Sequence, residues 1–152
     1  MFDGNFAARV VYKVLSDDAT LAALHNGVVE DVWGKDEDAP GDAFPFVAFS
    51  VQSAEDVYYN GDARAVTVQS VVIRAIQKFN ASASYGGTLQ TIADRIDYLL
   101  HGNTFDVYDD NNTTILGSAY IHRVSPIRER FIDGSAEYRY LGGIYEVSTS
   151  EK

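Results

Sequence analysis

Residues 65–79, AVTVQSVVIRAIQKF, carry apolar side chains on both faces of an extended strand, and this limits the fold more than any other segment. Side chains of a strand alternate sides. Val66, Val68, Val72 and Ile76 therefore share one face, and Val71, Ile73, Ala75 and Phe79 share the other. A strand that is apolar on both sides belongs in the middle of its sheet. Such a sheet needs a cover, and the segment 88–100 is built to supply one. Leu89, Ile92, Ala93, Ile96, Leu99 and Leu100 recur at helical spacing as a single stripe, with Gln90, Asp94, Arg95 and Asp97 pointing away. Gly102 is the expected stop. Alone this helix could not bury its stripe, so it is predicted to lie on the sheet.

The N-terminal third reads as two short helices followed by strands. Phe6, Ala7, Val10, Val11, Val14 and Leu15 form one apolar face between Asn5 and Leu15. Ser16-Asp17-Asp18 breaks that helix and offers side-chain oxygens to cap the next, over Ala19–Leu24, which Asn26-Gly27 closes with Gly27 as a left-handed stop. Val28-Val29 and Val32-Trp33 suggest a short strand. The stretch from Glu30 to Asp42 then holds six acids against Lys35 alone, so it reads as a solvated loop. Phe46–Val51 alternates as a strand, with Pro45 at its start or on an edge. Ala54–Arg64 is polar, with Asn60-Gly61-Asp62 as turn chemistry for a long hairpin. Asn80–Gly87 is small-residue linker. The last third is β: Thr104–Tyr108, a turn at Asp109–Asn112, Thr114–Ser125 and Ala136–Thr149, with Gly142-Gly143 marking a bulge or a close backbone contact. The fold class that follows is α+β: a mostly antiparallel sheet, an amphipathic helix packed on one face, and short N-terminal helices.

At 152 residues the chain suits one domain, 1–152, and shows no internal repeat or domain linker. With 46% apolar and 22% charged residues it can build a core. Zero cysteines exclude disulfides, a thiol nucleophile and Cys-based zinc sites. No apolar run approaches the roughly 20 residues of a membrane span, and Met1–Asn5 lacks signal-peptide character, so cytoplasmic synthesis without a membrane partner is expected. The formal charge of −10 disfavours tight DNA binding, because an acidic surface repels phosphate. It suits a passage through which DNA slides, and equally a merely soluble surface.

Motifs for chemistry are weak. His25, His101 and His122 have no metal-ligand spacing and read as structural. Asp110–Thr114 resembles a calcium loop only superficially: Ile115 stands where such a loop needs Gly, and Ile121 where it needs Glu. Gly86-Gly87-Thr88 precedes a helix, but no GK[ST] or dinucleotide spacing accompanies it. No GxSxG elbow is present. The expectation is no enzyme, no cofactor and no metal. Two charged features remain as interface candidates. Arg123, Arg128, Arg130 and Arg139 cluster in one segment, and Asp36, Glu37 and Asp38 centre the acidic loop. A basic patch of one subunit meeting the acidic loop of a neighbour would fix register; scattered surface charge is the plainer alternative. Tyr58-Tyr59, Tyr138, Tyr140 and Tyr145 suit either interfaces or ordinary sheet packing.

The order of elements resembles small tail-completion and tail-terminator proteins of long-tailed bacteriophages. The resemblance rests on Val11-Tyr12 through Leu24, sharpest in DATLAAL at 18–24, then Gly27-Val28-Val29, Phe44-Pro45-Phe46-Val47, the strand to Phe79, the helix to Leu100 and a closing Arg-Tyr strand. The loop before Phe44 is longer and more acidic than is usual there, and the Asp106–Pro126 hairpin is more extended. The resemblance implies a virion protein of the tail or neck, assembled in the host cytoplasm. It would form a ring, commonly a homohexamer, on the head-proximal end of the tail tube. That ring would stop tube growth and join the tail to the capsid connector or stopper protein, with DNA only as cargo through the lumen. Another head–tail joining or adaptor role, or a small acidic host-regulatory binding module, is the alternative.

Overall fold

The computed structural model describes residues 6–30, 44–58, 64–79 and 86–151. Helix α1 spans Phe6–Asp17, running past the expected end at Leu15. Its last turn is held by Lys13, whose Nζ lies 3.0 Å from the Asp17 carboxylate one turn on. Asp18 then takes an extended conformation, and its side chain accepts the Leu21 N–H at 2.7 Å, starting helix α2 at Ala19–Ala22. Gly27 does not stop α2 in a left-handed conformation. Among the described glycines only Gly102 and Gly134 have positive φ. Gly27 and Asn26 instead join two strands: the Asn26 N–H donates to Pro45 O at 2.8 Å, and Val47 N–H donates to Gly27 O at 2.9 Å.

The strands are β1 (Val28–Glu30), β2 (Phe46–Tyr58), β3 (Arg64–Phe79), β4 (Asn103–Tyr108), β5 (Ile115–Asp133) and β6 (Ala136–Glu151), with α3 at Gly86–Leu100. They form one sheet in the order β1-β2-β3-β6-β5-β4. The β1–β2 pair is parallel; the other four pairs are antiparallel. The α+β expectation holds, and β3 lies inside the sheet between β2 and β6, as its two apolar faces require. Several strands outrun their sequence-based limits. Ala54–Tyr58, expected within the tip of the long hairpin, continues β2, and β5 reaches Asp133 rather than Ser125. Pro126 is tolerated inside β5 because β4 pairs with β5 only as far as Ile121, which leaves an open flank beyond it. Helix α3 begins at Gly86, so the two glycines form its first turn rather than the linker. The expected Val32-Trp33 strand and the Asn60–Asp62 turn lie outside the described residues.

Both long helices sit on the same face. Leu89, Ile92, Ile96 and Leu100 of α3 and Phe6, Val11 and Leu15 of α1 pack with Val47, Phe49, Val71, Ile73, Ala75, Tyr145 and Val147 in one core. Burying each such side chain contributes about 1.5–3 kcal/mol, which makes this face the main source of stability. The polar Gln69 is buried in it, and its Oε1 accepts the Ala7 N–H at 3.3 Å, satisfying a donor of the first turn of α1. Among the described residues the opposite face carries a smaller cluster, Phe46, Ala48 and Ile76, packed with Val29, Phe44 and Tyr140.

Of the two readings of Gly142-Gly143, the close approach is correct. Strand β6 pairs with β3 in unbroken register from Glu137 to Thr149. A Cβ on Gly142 would lie 1.9 Å from the carbonyl oxygen of Ile73. The irregularity falls on the partner strand, between Arg123 and Ser125 of β5. Gly142→Ala is expected to cost about 3 kcal/mol or more, since backbone rather than a flexible side chain must move. Gly134→Ala, in a positive-φ turn with open space around it, should cost only about 1–2 kcal/mol. Urea unfolding of the two variants checks this order.

Candidate functional site

The long β5–β6 hairpin turns through Gly134-Ser135, where Gly134 has φ 59°. This turn sets the register that assembles the arginines. Arg130 stands opposite Arg139, Arg128 opposite Leu141 and Arg123 opposite Tyr145. All four predicted arginines therefore share the face that carries the helices. Two like charges directly opposite would repel, and Glu137 relieves this. Its Oε1 lies 2.6 Å from Arg130 Nε and 2.9 Å from Arg139 Nε. The Arg139 hydrogen bond, and then the charge of Arg130, hold the Glu137 carboxyl below the usual carboxylate range. The Arg139 guanidinium also lies over the Phe79 ring, 4.5 Å from its centroid. Beyond the start of α3, Arg128, Arg130 and Arg139 rim a groove of about 340 Å³ floored by Phe79, Leu89 and Leu141.

Arg123 is drawn out of this group. Its Nε lies 3.4 Å from Asp97 on α3, and Asp97 also accepts the Tyr145 hydroxyl at 3.1 Å. Burial, reinforced by the Asp97 charge, pushes the Tyr145 phenol above its ordinary value. Tyr145 is thus a core residue, unlike the half-buried Tyr138 and Tyr140 on the other face. Asp97 and Arg95, expected simply to face away from the core, both tie α3 to its surroundings. Arg95 makes a two-pronged bond to Asp18, at 3.0 and 2.8 Å. That bond, with the Leu21 N–H, holds the Asp18 carboxyl below its usual range.

The second groove, about 1000 Å³, opens between α1 and β4 and the 109–112 turn. Arg9 of α1 contacts Asp110 of that turn. Asp109 is consumed by the turn itself, accepting the Thr113 N–H at 2.8 Å and the Thr113 hydroxyl at 2.9 Å. These bonds lower its pKa to about 2. The histidines are bound locally. His25 Nδ1 accepts the Gly27 N–H at 2.9 Å, and His101 Nδ1 accepts the Arg123 N–H at 2.9 Å. His122 lies 3.4 Å from Glu146. Burial lowers the His25 pKa, favouring the neutral acceptor form. Among the described residues no three His, Asp or Glu side chains are grouped to hold a metal ion. No helix among them is long and apolar enough to cross a membrane.

Asp36, Glu37 and Asp38 lie outside the described residues, so the geometry speaks to the basic half of the expected charge pair alone. Sequence reasoning missed Glu137 and the apolar floor of the groove. Reading Gly134-Ser135 as a two-residue turn would have found both, because that register sets Arg130 against Arg139 and Arg128 against Leu141. It also missed the exposed carboxylates Glu55 and Asp56, which lie on the part of β2 beyond its pairing with β1.

No protein-family model matches this chain, and no curated protein matches it. Among solved structures it is similar to a chain of a "Virion of native gene transfer agent (GTA) particle". The match has a TM-score of 0.57 at 20% identity, covering 97% of this chain and 99% of the other. At this identity the likeness is one of fold.

Two outcomes are expected from the carboxylates. Asp18→Ala removes the α2 cap and the link to Arg95, and should cost about 2–3 kcal/mol. Asp18→Asn keeps the cap and should cost about half as much; thermal unfolding distinguishes them. The folded pKa values of Asp18 and Asp109 are both depressed. Their stabilisation is therefore complete above the unfolded value near 3.8 and is lost as pH falls through the folded ones, at about 2 for Asp109. Carboxyl NMR titration should find Asp109 still ionised at pH 3.

Proposed function

We propose that this chain is a non-enzymatic virion protein of a long-tailed phage or phage-like particle. In this reading it forms a homohexameric ring at the head-proximal end of the tail tube, ends tube growth, and joins the tail to the connector or stopper protein. The observation that carries the reading is the end-to-end fold likeness to a virion chain, over 97% of one chain and 99% of the other. The order of sequence elements quoted above supports the same role independently.

The mechanism is geometric. A ring subunit needs two different surfaces that fit each other head to tail and close after a fixed number of copies. The sheet offers two dissimilar edges. At one, β2 runs beyond β1 with Glu55 and Asp56 exposed; at the other, β5 runs beyond β4 with Arg128 and Arg130 exposed. Once closed, the ring offers the tube no further face on which to polymerise. The net charge of −10 keeps DNA mobile as it passes through. A joining role without control of length is the second reading. It fits the same fold, since the likeness does not distinguish positions in the neck.

Deleting the gene from its particle should leave filled heads and separate tails, some abnormally long, under the electron microscope. Separate tails of normal length would favour the joining role alone. Normal tails attached to heads would sink both, and leave a small acidic binding module as the better account.

A further inference from the structure

We infer that the arginine-rimmed groove beside α3 is the socket for the acidic segment 31–42 of a second copy of this chain, with Trp33 seated on the groove's apolar floor. The inference rests on the self-assembly part of the reading above and names the contact that would carry it. The groove is apolar below and basic above: Phe79, Leu89 and Leu141 form its floor, and Arg128, Arg130 and Arg139 its rim. Among the described residues Glu137 is the one carboxylate bonded to these arginines, so three guanidiniums share one negative charge there. Glu129 nearby is matched by Arg74 at 3.7 Å on the other face. Among the described residues Arg128 forms no ion pair. The site is short of negative charge among the described residues, and Leu141 is the half-buried part of a floor whose Phe79 and Leu89 are 6% and 1% exposed.

The matching occupant combines carboxylates with a large apolar side chain, and the chain contains one such segment. Residues 31–42, DVWGKDEDAPGD, place Val32-Trp33 next to Asp36, Glu37 and Asp38, with Lys35 as the lone cation. An aromatic anchor in an apolar pocket ringed by charge pairs is the common form of an interface hot spot.

The occupant comes from a second copy because of where the segment is tethered. It departs from Glu30 on the edge strand β1 and returns at Phe44, just ahead of β2. The groove lies towards the other edge, on β6 and β5, and β5 is four strand spacings from β1, roughly 19 Å. Phe44 moreover packs on the helix-free face, 5.3 Å from Phe46 and 5.9 Å from Tyr138, whereas the groove is on the helix face. Within one copy the segment starts at the wrong edge and ends on the wrong face. In a head-to-tail ring the β1–β2 edge of each copy meets the β5 edge of the next, and the segment is delivered to the groove.

Trp33 is the only tryptophan, so its emission reports the socket directly in the full-length protein. Emission and light scattering are recorded together over a concentration series. A blue shift that tracks the rise in mass, with both weakened by high salt, is expected. Arg128→Glu should weaken association roughly tenfold or more and keep the emission red at matched concentration. The variant's fold is checked by its circular dichroism. Asp36→Lys/Glu37→Lys/Asp38→Lys should do the same, and an equal mixture of the two variants should give dimers, since one intact socket and one intact segment remain. Blue-shifted emission from a monomer at every dilution would overturn the inference in favour of occupancy within one copy. Assembly with red emission, or assembly unchanged in Arg128→Glu, would overturn the inference and leave the ring reading standing. A chain monomeric throughout would overturn the inference together with self-assembly.

Discussion

The fold depends on the burial of strand β3. Its Val71, Ile73 and Ala75 are sealed from solvent beneath α1 and α3, and it is hydrogen-bonded on both flanks, to β2 and to β6. Everything else is arranged to keep that strand dry. The α3 stripe covers one part of its face and α1 another, and the Asp18–Arg95 bond holds the N-terminal helices against α3. Gly142 lacks a side chain where β6 comes closest to the Ile73 carbonyl. A buried, fully paired strand has no outlet for a misplaced polar group, so these dependent features are all specific.

The same burial leaves surplus surface. Two helices cover one face, and they do not reach its far end, where β5 and β6 run on past the start of α3. The cover ends among arginines rather than apolar residues, which keeps the exposed end of the hairpin soluble. Phe131 and Ile132, 52% and 57% exposed, are the exceptions near the tip. Placing Arg130 across from Arg139 has an electrostatic cost, and one shared glutamate offsets part of it. A patch left short of negative charge is better suited to meeting a partner than to stabilising the isolated subunit.

The two ends of the sheet are also unlike. Short β1 covers part of β2, short β4 covers part of β5, and the uncovered lengths lie at opposite corners. Open edges invite pairing with other chains. Here Pro126 and the irregularity after Arg123 blunt one edge, and Glu55 and Asp56 charge the other. Charge and side-chain anchoring, rather than a continued backbone ladder, are what these edges offer a neighbour.

Local chemistry alone determined much of this protein. The two-faced strand, the α3 stripe, the Asp18 break and the Gly102 stop were all legible, because each depends on residues a few positions apart. The clustering of four arginines was legible too, since they are close along the chain. The lengths of β2 and β5 were not: Ala54–Tyr58 and Pro126–Asp133 are polar or proline-bearing, and only pairing with already buried partners makes them extended. Nor could the sequence show that Arg95, Asp97 and Tyr145 serve the interior, or that Gly142 makes room for a carbonyl of another strand. Those roles depend on partners dozens of residues away, and only the packed sheet brings such partners within bonding distance.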